Sequence, residues 1–338
     1  MAMTPEITII TPVWNGLPYI RECVESVLAQ NFTNWQMVIG DNGSTDGTRD
    51  YLDQLKDERI EVYKHEQNRG IFGNLNFLFA KAKAPIAYIL CADDYFYPGG
   101  LKMTVDCWRT ADANTGLLVF NNESIRFGKT MSFFYEKAPR EMDPVKARLI
   151  FFLFGNFVGN ISNASVRVDV VKESGWFSEN FATAGDFEMW SRLTQKYNLS
   201  FIDKQNVYVR RHPGVASNYM TGNGEQYKQL LIIFERLIND LSKSYEREEL
   251  IKYFHVGVCA FHFRRAIKAA IHGKFTYMKV MMKARSSILW PGWMQMFTCF
   301  PLGFVEGLRE RLAIGHAQNF LNRNIPANQI VDTQVKMV

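Results

Sequence analysis

Residues 84–94 read APIAYILCADD. The apolar run Ala84–Leu90 has the length and character of a short buried strand. Two aspartates, Asp93 and Asp94, follow it directly. They therefore fall at a strand's C-terminal end, where open α/β sheets place their ligands. Adjacent carboxylates repel, so the pair is comfortable only with something positive between or beside it. A hard divalent cation carrying substrate phosphates is the natural candidate. A solvated turn is the plainer reading, because Asp favours turns and Pro98-Gly99-Gly100 comes next.

Outward from this stretch, strand and helix patterns alternate. Ile7–Thr11, Trp35–Gly40, Ile60–Tyr63 and Leu117–Asn121 read as strands. Pro18–Gln30 places Ile20, Cys23, Val24, Val27 and Leu28 on one helical face. Asp46–Leu55 reads as a helix capped by Ser44 or Thr45, and Ile71–Ala82 as a helix with a thick apolar face. This alternation with short connections predicts an α/β fold with a mostly parallel, doubly wound sheet. Leu149–Val158 is strongly apolar but only about ten residues long, against the roughly 20 a membrane span needs. It reads as a buried segment beneath a substrate cleft. Asp186–Tyr197 reads as a helix, and Leu199–Ile202 with Val207–Arg210 as a closing pair of strands. From about Asn223 the pattern turns to long amphipathic helices, Tyr227–Leu241 and Glu246–His272, and the last dozen residues look frayed.

A chain of 338 residues suits one large domain with an appendage, or two domains. The formal charge of +5 is too mild to suggest nucleic acid. The five cysteines are irregularly spaced and form no CxxC, which argues against a disulfide framework or a zinc site and for a reducing cytosol. The start, MAMTPEITII, lacks the basic region of a signal peptide.

Other clusters lie at strand ends or on loops. Thr11-Pro12-Val13-Trp14-Asn15-Gly16 follows the first strand, and its Pro and aromatic offer a flat wall for a base or sugar. A turn with a packed Trp is the bland alternative. Asp41 opens DNGSTDGT after the second strand. A carboxylate there can accept the ring N–H of uracil, although thymine and guanine offer one too. Arg69, in Asn68-Arg69-Gly70, can reach a base or diphosphate, or simply sit on a surface turn. Asp186 opens a helix in GDFEMW, where the helix dipole favours its charged form and leaves it available as a base. An N-cap explains it as well. Arg210-Arg211-His212-Pro213 puts two cations and an imidazole at a strand exit, suited to a diphosphate or a metal. Neither GxGxxG nor GxxxxGK[ST] occurs, and no GxSxG. A nucleotide on this sheet must be held another way, with a metal across its phosphates.

The order strand–TPVWN, strand–DNGSTDGT, NRG, strand–CADD, AGDFEMW, RRHP resembles the family-2 inverting glycosyltransferases of GT-A fold, from about Ile7 to Ser217. The resemblance implies that Thr11, Pro12, Trp14, Asp41 and Arg69 hold the nucleotide and that Asp93 meets the ribose. It implies that Asp94 binds a divalent metal, Mn²⁺ or Mg²⁺, with His212 on the metal or the diphosphate and Arg210 and Arg211 on the diphosphate. Asp186 is then the catalytic base. Many members read D-x-D-D at the fourth strand tip, where this chain has Cys91-Ala92-Asp93-Asp94. Cys91 would serve Mn²⁺ or Mg²⁺ poorly and reads as a packed strand residue. The implied reaction moves a sugar from a nucleotide-sugar donor, a UDP-sugar, to a hydroxyl of a glycan or lipid-linked acceptor in bacterial surface-polysaccharide assembly. Residues 1–220 would form the catalytic domain, with a nucleotide-sugar half to about 120 and an acceptor half from about 121. Residues 221–338 would form a helical region. A silent glycan- or nucleotide-binding module and a sugar-nucleotide pyrophosphorylase are the competing readings. The retained Asp93, Asp94 and Asp186 oppose the first, and the lack of a basic loop after the first strand opposes the second.

Ser286–Val305 carries no charge over 20 residues, but Pro291-Gly292 and Pro301 interrupt it. With Lys274, Lys279, Lys283 and Arg285 before it, the pattern fits a helix–break–helix segment lying on the cytoplasmic face of the inner membrane. The alternative is that its aromatics dock on the catalytic domain or pair two protomers in a homo-oligomer.

Overall fold

The computed structural model describes residues 4–121, 139–212 and 224–324. Strands β1 (Ile7–Val13), β2 (Trp35–Asp41), β3 (Ile60–Lys64) and β4 (Ile86–Ile89) alternate with helices α1 (Tyr19–Leu28), α2 (Thr48–Leu52) and α3 (Gly70–Phe79). There follow β5 (Tyr95–Phe96), α4 (Gly100–Thr110), β6 (Thr115–Phe120), β7 (Glu141–Met142), α5 (Pro144–Phe154), β8 (Ala164–Arg167), α6 (Val168–Glu173), α7 (Gly185–Leu193), β9 (Asn198–Ile202) and β10 (Val207–Tyr208). The main sheet has eight strands in the order β3-β2-β1-β4-β8-β6-β9-β7, and β10 pairs β5 in a small second sheet. The block β3-β2-β1-β4 is wholly parallel. Strand β8 runs antiparallel to β4 and β6.

Burial on both faces explains the continuous apolar strands. Ile7, Ile9 and Val13 of β1 pack with Ile20, Cys23, Val24 and Val27 of α1 and with Leu101, Val105 and Trp108 of α4. Helix α3 packs against β1 and β2 outside that cluster. Its approach is close: Asn74 Nδ2 donates to the Gly40 carbonyl at 2.7 Å. A Cβ on Gly40 would stand 2.2 Å from Asn74 Oδ1, so only glycine fits there.

Three local expectations change. Helix α2 begins at Thr48 behind Gly47 at φ 90°, with no cap from Ser44 or Thr45. The Ser44 hydroxyl instead accepts the Asn15 N–H at 2.8 Å. The expected closing strand pair does not form, because β9 joins β6 while β10 joins β5. Asn206 diverts the chain: its buried side chain accepts from Tyr88 Oη at 3.1 Å and donates to Thr104 Oγ1 at 3.0 Å. The long helix expected over 246–272 is wound in three parts, α9 (Arg247–Phe254), a π turn (His255–Cys259) and α10 (Ala260–Ile271), with α8 (Glu225–Leu241) ahead of it.

The chain divides into two compact units. Among the described residues the first holds 4–121, 140–144 and 158–211, and the second holds 139, 145–157, 212 and 224–324. Residues 149–157 of the apolar run thus belong to the second unit, 149–154 of them in helix α5. There Phe152 packs on Phe234 and Tyr253 at ring-centroid distances of 6.0 and 5.3 Å. The second unit continues with α11 (Thr276–Lys283), α12 (Gly292–Phe304) and α13 (Glu306–Asn324). The break expected at Pro291 is present, whereas Pro301 lies inside α12. Among the described residues no helix is long and apolar enough to cross a membrane. The last dozen residues, expected to fray, lie outside the described residues.

Candidate functional site

Parallel pairing of β1, β2 and β4 brings their C-terminal ends to one edge of the sheet. Thr11, Pro12 and Val13 pair with Ile39, Gly40 and Asp41 across β1 and β2. Thr11 is fully buried, while Trp14, just past the strand, is 58% exposed. The loop after β1 is latched to the loop after β2. Asn15 Oδ1 accepts the Thr45 N–H at 2.9 Å, Thr48 Oγ1 accepts the Gly16 N–H at 2.9 Å, and Asp46 Oδ2 accepts the Leu17 N–H at 3.0 Å. Trp14 therefore stands on a fixed base.

Asp41 is fully buried at the tip of β2. Its Oδ2 takes a 2.7 Å ion pair from Arg49 Nε, and both oxygens lie 3.3 Å from the Ser44 N–H. Arg49 also donates to the His65 carbonyl. The pairing sets an opposite charge beside a buried carboxylate. Asn42 fastens the next loop: its Oδ1 accepts the Arg69 N–H at 2.8 Å, and its Nδ2 donates to Asn68 Oδ1 at 2.9 Å. Arg69 is exposed, with its guanidinium 5.5 Å from the Phe77 ring centroid.

Asp94 is only 1% exposed. Its Oδ1 accepts the Arg210 N–H at 2.8 Å, a contact made by the β5–β10 pairing that carries Arg210 alongside. Its Oδ2 is buried with no hydrogen bond of good geometry. Desolvation, then the neighbouring Asp93 charge, lift the Asp94 pKa from 3.8 to about 7, against the Ser162 hydroxyl and the Arg210 amide. The Arg210 guanidinium donates to the Asp93 carbonyl at 3.0 Å and pairs with Glu22. Ser162 Oγ accepts the Cys91 N–H at 2.9 Å, and the Ser162 carbonyl accepts Tyr88 Oη at 2.6 Å, so the turn before β8 braces the tip of β4. Cys91, Asp93 and Asp94 present ligand atoms within 4.8 Å of one another. Burial, then the two aspartates, push the Cys91 thiol well above its usual range, so it stays protonated. A metal of the Mn²⁺ or Mg²⁺ class fits this donor set. A buried carboxylate oxygen lacks a good partner, the next residue supplies a second carboxylate, and both are hard oxygen ligands.

Asp186 is half-buried in the first turn of α7, with its Oδ1 on the Phe187 N–H at 2.8 Å. Two residues on, Glu188 is buried in a two-pronged ion pair with Arg192, at 3.0 and 2.8 Å. That pair removes Glu188 as a rival base. Helix α7 is seated by Gly185, where a Cβ would stand 2.5 Å from the Phe72 ring of α3. Asp186 thus lies beside the start of α3, the same end that carries Arg69. Arg211 is exposed in the first unit, whereas His212 belongs to the second. Arg49, Asn42 and Ser162 were not singled out from the sequence. Arg49, the residue directly after DNGSTDGT and the second of its helix, had a local signal; Ser162 had none.

Residues 8–175 match the family model for glycosyl transferase family 2. An uncharacterized glycosyltransferase of Rickettsia typhi is 24% identical over 229 residues, which is 67% of this chain and 70% of that protein. Residues 1–349 of S. aureus TarS, solved in complex with UDP-GlcNAc, superpose with a TM-score of 0.58 at 18% identity, covering 78% of this chain and 73% of that one. A mannosyltransferase of Pyrobaculum calidifontis, solved with GDP-Man and Mn²⁺, gives 0.58 at 18% identity, covering 96% and 89%. At such identities the likeness to the two solved structures is one of fold.

Proposed function

This chain belongs to glycosyl transferase family 2, and we propose that it moves a sugar from a nucleoside diphosphate to an acceptor hydroxyl with inversion. The observation that carries the reading is the buried Asp94 carboxylate at the tip of β4, with Oδ2 lacking a good hydrogen bond and Asp93 beside it. Asp94 and Asp93 would hold a divalent cation, Mn²⁺ or Mg²⁺. When bound, the cation neutralises charge on the departing diphosphate.

The chain's own groups do the rest. Asp186 takes the proton from the attacking hydroxyl. Asp41, paired with Arg49, accepts the base N–H, and Trp14 offers its exposed ring to the base or sugar. This favours a uridine donor. Arg69, Arg210 and Arg211 lie on the loops available to the diphosphate. Positioning of donor and acceptor supplies much of the remaining acceleration.

The acceptor in this reading is a glycan or lipid-linked hydroxyl in surface-polysaccharide assembly, met at the cytoplasmic face of the inner membrane. Ile271, Phe275 and Met282 are 74%, 56% and 68% exposed. Lys274, Lys279, Lys283 and Arg285 are exposed among them. That mixture suits an interface of apolar chains and anionic headgroups.

The deciding experiment is a donor screen by release of product nucleotide, with Mn²⁺ and in EDTA, on wild type and Asp94→Ala. Metal-dependent release lost in the variant is expected. Full turnover in EDTA, or by the variant, would remove the metal from the mechanism.

A further inference from the structure

The second unit contains a cluster that the sugar-transfer chemistry does not use. His255, Cys259 and Cys299 are all buried, and His Nδ1 or Nε2 and the two Sγ atoms lie within 4.8 Å of one another. His255 and Cys259 bound the π turn between α9 and α10, and Cys299 comes from α12. Single widened turns of this kind occur often at functional sites. Their spacing in the sequence gives no hint, since Cys259 and Cys299 stand far apart and no CxxC occurs. Only the packing of α12 onto the π turn brings them together.

We propose that His255, Cys259 and Cys299 form a structural site for a thiophilic divalent ion of the zinc class, pinning α12 to the π turn. The distances fit the ion. Zinc binds thiolate sulfur at about 2.3 Å and imidazole nitrogen at about 2.0–2.1 Å, so a tetrahedral edge from S to N is roughly 3.6 Å. His255 Nδ1 stands 3.6 Å from Cys299 Sγ. A fourth, oxygen ligand is at hand on the Cys259 side, where Tyr227 Oη is 3.6 Å and Gln295 Oε1 3.8 Å from Cys259 Sγ.

The far ring nitrogen is already fixed. His255 Nε2 lies 3.1 Å from the Ile288 carbonyl and accepts the Trp290 N–H at 3.1 Å. Binding through Nδ1 requires the proton on Nε2, donated to Ile288 as is usual for a zinc-bound histidine, so the Trp290 N–H must give up Nε2 as the ion enters. The Trp290 ring stacks on the imidazole at 4.0 Å and 7°, closing the site on that side. Both thiols bind as thiolates, so each proton leaves to buffer as the ion enters. Soft sulfur ligands select against Mn²⁺ and Mg²⁺, so this site and the Asp93–Asp94 pair would take different metals.

The test uses the full-length chain without an affinity tag. Wild type grown with zinc and dialysed against EDTA is measured for metal content, and wild type grown with Co²⁺ in place of zinc is scanned for a thiolate-to-cobalt charge-transfer band. One zinc per chain, the cobalt band, and loss of both in Cys299→Ser are expected. The two wild-type measurements stand even if that variant fails to fold. Zinc-free wild type without the cobalt band would overturn the site. So would a Cys259–Cys299 disulfide found by mass spectrometry after thiol blocking. Zinc that persists in Cys299→Ser but is lost in Asp94→Asn would assign the ion to the carboxylates and overturn it as well. Carboxylates give no thiolate band, so failure here is separate from failure of the transferase reading.

Discussion

Asp94→Asn should abolish metal-dependent turnover while stabilising the metal-free protein, and the gain should grow with pH. The folded state raises the Asp94 pKa from 3.8 to about 7. An acid with a raised pKa holds its proton more tightly when folded. It therefore costs nothing below the unfolded value, and the cost rises with pH until the folded value is passed. At about 1.4 kcal/mol per unit, the penalty at pH 8 is roughly 4 kcal/mol, and at pH 5 roughly 1.6 kcal/mol. Asparagine keeps an oxygen for the Arg210 N–H and carries no charge. The variant's advantage in metal-free buffer should thus widen by roughly 2–3 kcal/mol between pH 5 and pH 8 as a ceiling. Urea unfolding of both proteins in EDTA at the two pH values measures this, and titrations of groups away from Asp93 and Asp94 cancel in the difference. Mn²⁺ should then narrow the gap at pH 8, since an ion at 100 times its Kd adds about 2.7 kcal/mol to wild type alone. A variant advantage that is equal at both pH values, or Mn²⁺ stabilising both proteins alike, would refute the argument from a buried, repelled carboxylate.

Asp186→Asn should lose about 10²–10⁴-fold in rate while calorimetry still detects donor binding. Glu188→Gln, which breaks the buried pair with Arg192, should instead cost about 3–5 kcal/mol of stability, read by urea unfolding; the reverse pattern would exchange their roles. UDP should bind more tightly than GDP or CDP in calorimetry, and Asp41→Asn should erase that preference; tighter GDP binding by wild type would discard the uridine assignment. Flotation with anionic liposomes should carry the full-length chain upward, and charge reversal at Lys274, Lys279 and Lys283 should leave it in the soluble fraction; an unchanged distribution would make the exposed Phe275 and Met282 face something other than a lipid contact.

Much of the first unit was legible because its signals are local. Four-to-seven-residue apolar runs made strands β1, β2 and β4, and the helices between them followed from apolar spacing. The parallel block then put Val13, Asp41 and the Asp93–Asp94 tip at one sheet edge, as the alternation implied. Where local signals competed, the reading slipped. Ser44 fits an N-cap by type, but its hydroxyl is taken by Asn15 from another loop. Val207–Arg210 looks like the partner of Leu199–Ile202, but Asn206 anchors to Tyr88 and Thr104 and sends the chain to β5.

The sequence by itself determined the strand–helix alternation, the family and which carboxylates stand at strand and helix ends. Those properties depend on residues a few positions apart, whose periodicity and turn preferences act before any tertiary contact forms. The tertiary structure alone decided what each carboxylate faces. Arg49 against Asp41, Arg192 against Glu188 and the Arg210 amide against Asp94 set which acids are locked in ion pairs and which lacks a good partner for one oxygen. It also gathered His255, Cys259 and Cys299 from a helix turn and a distant helix into one buried cluster. The reason is that solvation and Coulomb energy depend on separation and burial in space, and a linear sequence specifies neither until the chain is packed.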